Sequence, residues 1–275
     1  MLHPSPGRDI TAVVAAMDDR LLRMPPERAT QRVFLETYRR TTLAVAAAMA
    51  DACFEDPDWV ERWDVAFADL YLAALDLDLS GSPAVPRPWA LAFGAPASLP
   101  ALRHVLLGIN AHINYDLPQA LLAVIPDADF ASSVVVARRA RDHERIDGVL
   151  SSRVAAEDSE LGAVSPPTLL DRALQPLNRL SSKRFLREAR QKVWHNTMEL
   201  QRARVQGEAA YAARLAELEV LSAARIADLL APGQVLLRLA VAGFGVTLPP
   251  AHGSSRFCCR GSWAQSWRIR TRASR

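Results

Sequence analysis

The sequence predicts an all-α protein, and three features carry that expectation. Apolar residues recur at i, i+3 and i+4 spacings rather than in alternation. Alanine and leucine dominate a chain whose aromatic content is only 7%, a composition that suits helices better than strands. Strand signals are almost absent. With 275 residues, half of them hydrophobic, the chain is long enough to bury a substantial core. The expected architecture is a single multi-helix, bundle-like domain over residues 1–248, with a long proline-rich loop, followed by an irregular tail at 249–275.

Each element has a local justification. A first helix spans Asp9 to Arg23 and ends at Pro25-Pro26, where the missing amide hydrogen and ring clashes stop helical bonding. A second runs from about Glu27 to Ala52. Asp56-Pro57 reads as an N-cap followed by proline at the first helical position, launching a helix from Asp58 to about Asp76. Five prolines and two glycines between Ser80 and Pro100 predict an irregular surface loop, pinned by Trp89 and Phe93. A helix from about Leu99 to Ile125 follows, and another begins at Asp127 to Asp129 and runs to about Val154. A polar break at Asp158 to Pro167 precedes helices at Thr168–Leu180, Lys183–Val205 and Glu208–Leu230. A short apolar segment, Val235 to Ala242, reads as a last one.

The net charge of +3 is unevenly distributed. Residues 249–275 hold six arginines and no acid; setting those six aside leaves 27 bases against 30 acids, a body of net −3. An acidic body argues against nucleic-acid partners, which require a clustered positive face. The tail itself, with Phe257, Trp263, Trp267 and vicinal Cys258-Cys259, has no composition that builds a core. Three cysteines, Cys53 among them, form neither a disulfide framework nor a CxxC zinc pattern. The start of the chain lacks the pattern of an export signal, and no apolar run reaches the ~20 residues needed to span a bilayer. A cytoplasmic protein without stable membrane insertion is the expectation.

The sharpest chemical signal is the block Asn110 to Pro118, with Asn110, His112, Asn114 and Asp116 as candidate site residues. His112 and Asp116 stand at i and i+4, sharing one helix face. That face continues the apolar stripe Val105, Ile109, so the pair should be at least partly buried. A buried carboxylate needs a cation, a metal or a set of donors. Pro118 sharpens the expectation, because its ring clashes with the Asn114 carbonyl and frees an acceptor beside the pair. Two further acids fall on inward stripes. Asp64 sits among Val60, Trp63, Phe67 and Tyr71, and Asp142 lies between Val135 and Val149. His112, Asp116, Asp64 and Asp142 together would suit a divalent metal such as zinc, manganese or iron. His195 falls on a charged, solvated face. His143, at i−4 from Asp147, reads as an edge ion pair, and Trp194 as packing. No nucleophile elbow, phosphate loop, dinucleotide fingerprint or HExxH motif appears.

The block as it stands, Asn110-Ala111-His112-Ile113-Asn114-Tyr115-Asp116-Leu117-Pro118, resembles that of a bacterial helical family classed as a domain of unknown function. The likeness extends to Phe34 with Tyr38, to Asp64–Ala68 followed by Tyr71, and to the helix from Ala189 to Leu200 with Trp194. It covers roughly Asp9 to Leu230 and implies no established activity. More distantly, His112-x-x-x-Asp116-x-Pro118-Gln119 is similar in outline to a metal-binding segment of helical zinc phosphodiesterases. Tyr115 stands where those enzymes have glycine, and no second histidine follows.

Two functions compete at this point. One is metal-dependent hydrolysis of an ester or phosphoester, by a metal-activated water acting on a small-molecule partner. The other is a non-catalytic helical scaffold or small-ligand-binding protein, in which the same residues form a structural polar network.

Overall fold

The computed structural model describes residues 8–162 and 191–231, and among these it contains helices and no strand. Helix α1 covers Ile10–Arg23 and is capped by Asp9, whose side chain accepts from the Ala12 amide at 2.8 Å. A 3₁₀ turn at Pro26–Arg28 then leads into α2, Ala29–Ala50. Helix α3, Pro57–Leu79, starts as its sequence dictates: Asp56 accepts from the Trp59 amide at 3.0 Å, and Pro57 occupies the first turn. There proline's missing N–H costs nothing.

Inside the proline-rich stretch lies a helix the sequence reading did not anticipate, α4 at Arg87–Phe93. It begins where Pro86 and Pro88 pre-set the backbone, and it buries Pro88, Trp89 and Ala92. Helix α5 is Ala101–Ala111, and a π-helical turn at His112–Asp116 joins it to α6, Leu117–Val124. The expected continuous helix is therefore interrupted at the motif. The helix expected from Asp127 is likewise two: α7, Asp127–Phe130, and α8, Ser133–Gly162. Helix α8 extends past the break expected to open at Asp158. Helix α9 is described over 191–206, and α10 is Glu208–Leu230. Between them Gly207 has φ +121°, a conformation that an L side chain rarely adopts. The helices expected at Thr168–Leu180 and Val235–Ala242, and the tail from 249, lie outside the described residues.

Helix α3 is the axis of the packing. Twelve of its residues are buried, from Trp59 to Leu75, and they cover most of its circumference. A helix apolar on most sides must be enclosed, and α1, α2 and α6 pack around it. Helix α2 also lies against α5 and α8, and α10 covers α4 and α5. Helices α2 and α5 meet tightly at Gly108, where a Cβ would stand 2.3 Å from the Phe34 ring. Only glycine lets α2 seat that ring on the α5 backbone. No helix of the described residues is long and apolar enough to cross a membrane.

Candidate functional site

The π turn follows from Pro118. A proline in an α-helix removes one amide and presses its ring on the carbonyl four residues earlier. Here the chain takes in an extra residue: the Leu117 amide donates to the His112 carbonyl, five residues back, and Pro118 opens the first turn of α6. Such bulges recur at functional sites.

His112 and Asp116, at the two ends of the turn, are hydrogen-bonded, Nδ1 to Oδ2 at 2.8 Å, and are only 3% and 2% exposed. The indole N–H of Trp89, from α4, donates to the same carboxylate oxygen at 2.8 Å. One oxygen thus ties the π turn to α4. The His112 ring lies parallel to Phe67, with centroids 3.4 Å apart and planes 6° apart. Tyr38 meets it edge-on at 4.7 Å, and Tyr71 and Trp89 flank it at 5.7 Å each. Rings from α2, α3 and α4 enclose the imidazole, and aromatic contacts of this kind add about 0.5–1.5 kcal/mol each beyond area burial.

Several polar atoms at or beside this enclosure have no hydrogen-bond partner: His112 Nε2, the Tyr38 and Tyr71 hydroxyls and Asp64 Oδ2. Burial and the nearby Glu61 charge raise the Asp64 carboxyl to about 7. Burial also raises Asp116, against the opposing bonds from His112 and Trp89, and lowers His112, against the pull of Asp116. The Tyr38 hydroxyl is held in its protonated form by burial and by the charges of Asp64 and Asp116.

The other residues singled out from the sequence have different fates. Asn110 and Asn114 turn back onto their own helix: Asn110 Nδ2 donates to the Leu106 carbonyl at 2.8 Å, and Asn114 Nδ2 to the Asn110 carbonyl at 2.9 Å. Asp142 is fully buried, but at the start of α3. It accepts from the backbone amides of Glu55 and Asp56 at 2.8 and 2.9 Å and from Arg145 at 2.8 Å. His112, Asp116, Asp64 and Asp142 therefore do not assemble as one ligand set. Among the described residues no three His, Cys, Asp or Glu side chains are grouped to hold a metal ion. His195 is exposed, as its charged face implies. His143 corrects its expected place at a helix edge. It is 2% exposed, with its ring 6.0 Å from both Trp63 and Trp194, so it belongs to the packed interior and not to a helix edge.

Sequence reasoning gave Trp89 and Tyr38 no part in the site and missed the need for glycine at 108. The spacing of Trp89, Ala92 and Phe93 is helical, and it was the available clue to α4 inside the proline-rich stretch.

Helices enclosing a histidine–aspartate pair define a helical protein with an interior polar site. The particular family follows from comparison with known proteins: the model of the Family of unknown function (DUF5995) matches residues 10–232, and the chain belongs to that family. No curated protein and no solved structure matches it.

Proposed function

We propose that the chain is a hydrolase in which His112, oriented by Asp116, acts as a general base on water attacking an ester or phosphoester. The observation that carries this reading is the asymmetry of the His112 ring. Nδ1 lies 2.8 Å from the Asp116 carboxyl and Nε2 has no partner; with Asp116 ionised the proton sits on Nδ1, which leaves the lone pair on Nε2. A histidine held this way by a carboxylate has the arrangement of a catalytic base. Nε2 takes a proton from water, the hydroxide adds to the carbonyl or phosphoryl centre, and the proton passes to the departing alkoxide. Acid and alcohol are the products.

The test uses p-nitrophenyl acetate and p-nitrophenyl phosphate with wild type, His112→Gln and Asp116→Asn. General-base catalysis is worth about 10²–10⁴ in rate, so both variants should lose turnover of one ester by that order while still melting cooperatively. Wild-type rates in His112→Gln overturn the reading. A second reading rests on a separate observation, the near-complete burial of the pair under Phe67. In it the pair is a structural network, and the two variants lower the melting temperature with no turnover to lose.

A further inference from the structure

Helix α10 has two faces with different fates. The inner one is spent on the fold: Leu218, Ser222, Ala223, Ile226 and Leu229 are buried, and the helix packs on α4, α5 and the π turn. The outer one is open. Val220 and Leu221 stand on it 48% and 55% exposed, among exposed Ala213, Glu217 and Ala224. Elsewhere the exposed large hydrophobics of the described residues, such as Leu22, Val134 and Val205, occur singly on separate helices. Scattered single residues of that kind are ordinary on a protein surface. The adjacent pair on α10 is not scattered, and the charges around it say what fits it.

Four charged residues share a side of the helix with Leu221. Arg214 lies seven positions before it and Glu217 four before; Arg225 lies four after and Asp228 seven after. Offsets of four and seven return to one side of a helix. Along the chain the signs run plus, minus, plus, minus, so reading the row backwards inverts every one of them. Two copies of α10 laid antiparallel and centred on Leu221 therefore set Glu217 against Arg225, and Arg214 against Asp228, at both ends of the contact. A parallel pair would set each charge against itself. Arg214, whose side chain is only 17% exposed, is already held by Glu217 at 2.8 Å within the chain. Arg225 enters no ion pair among the described residues, so Glu217 with Arg225 is the principal new pairing. Of the other acids on the helix, Glu219 is turned to α4, where it accepts from the Arg87 amide at 2.8 Å.

Size sets the strength of such a contact. The 23 residues of α10 span about 34 Å at 1.5 Å per residue. One helix pair of that length lies at or below the low end of the ~1,200–2,000 Å² that standard interfaces bury. Association should be reversible at micromolar concentration.

We infer that the outer face of α10 binds a second copy of this chain, antiparallel about Leu221, in a weak two-fold dimer.

Sedimentation equilibrium of the full-length chain is the test. Wild type should rise from the 30.2 kDa of one chain toward twice that mass across micromolar concentrations. Leu221→Glu, which sets two carboxylates together on the axis, should stay at the mass of one chain throughout. Its melting temperature, taken where wild type is monomeric, should not change. Arg225→Glu puts a like charge opposite Glu217 and should weaken association at least about tenfold. Adding Glu217→Arg should restore it, because the signs then run plus, plus, minus, minus and still invert on reversal. Rescue by a second reversal cannot come from a general loss of folding. A wild type that stays at the mass of one chain, or an association that Leu221→Glu leaves intact, overturns the inference. So does a monomeric wild type that Leu221→Glu destabilises, which would show the face covered by another part of the same chain. Failure of the double reversal to restore association overturns the antiparallel register.

Discussion

Two buried acids, one within α3 and one at its entry, are treated in opposite ways. Asp142 is 0% exposed, and its oxygens accept two backbone amides and an arginine. Asp64 is 4% exposed, and one of its oxygens meets no donor at all. The first carboxylate is stabilised where it sits: it holds the chain entering α3, where Asp56 in turn accepts from Arg139 and from the first turn of the helix. The second is left costly, in a neighbourhood where His112 Nε2 and two tyrosine hydroxyls are also unpartnered. A saturated buried acid explains a fold. An unsaturated one leaves a desolvation cost that no bond offsets.

The largest effect that would break this contrast is at the saturated end. Asp142→Ala strands two amides at the α3 entry and leaves Arg145 with Glu55 alone, so it should cost about 3–5 kcal/mol, the range for removing one partner of a buried charged network. Chemical denaturation would measure it. A loss under about 1 kcal/mol would mean that the α3 entry finds other partners, and Asp142 would no longer be the structural member of the pair.

Asp64 should do the reverse, and pH separates the two. Its folded-state pKa of about 7 lies above the ordinary 3.8, so between those values the folded chain holds a proton that the unfolded chain has released. Stability from this group is complete at low pH and declines as pH rises through about 7. The total is on the order of 4 kcal/mol, at about 1.4 kcal/mol per unit. Asp64→Asn should remove that slope, matching wild type near pH 4 and exceeding it in stability near pH 8. Parallel stability curves across that range would show that the carboxyl is not held at a cost.

Much of the fold was legible because helix signals are local. The caps at Asp9 and Asp56 and the stop before Pro25-Pro26 stand within a few residues of what they control. The inward placement of Asp64, His112, Asp116 and Asp142 was legible from periodicity, which fixes the face a residue occupies. It does not fix which faces meet. Asp142 closes on amides 86 and 87 positions away, and Trp89 reaches Asp116 across 27, so neither partnership leaves a mark in local sequence. The π turn was half legible: Pro118 announced a disturbance beside the pair, but whether the chain answers by kinking or by taking in a residue depends on what packs around it. His143 was placed at a helix edge from the acid at i+4, but which face is buried depends on packing, and Trp63 and Trp194 bury this one.

The smallest expected effect sharpens the comparison most. The Tyr38 ring packs edge-on against His112 at 4.7 Å, and its buried hydroxyl has no partner. Tyr38→Phe keeps the ring and removes only an unsatisfied polar group, a change that is near neutral or stabilising in a core. Thermal melts should therefore move by no more than about 0.5 kcal/mol equivalent. If the hydroxyl belongs to the reactive neighbourhood, p-nitrophenyl acetate turnover should fall even as stability holds, a split that no packing role produces. A loss of stability beyond about 1 kcal/mol would instead show the hydroxyl to be bonded as firmly as Asp142, since that is the usual net value of one hydrogen bond.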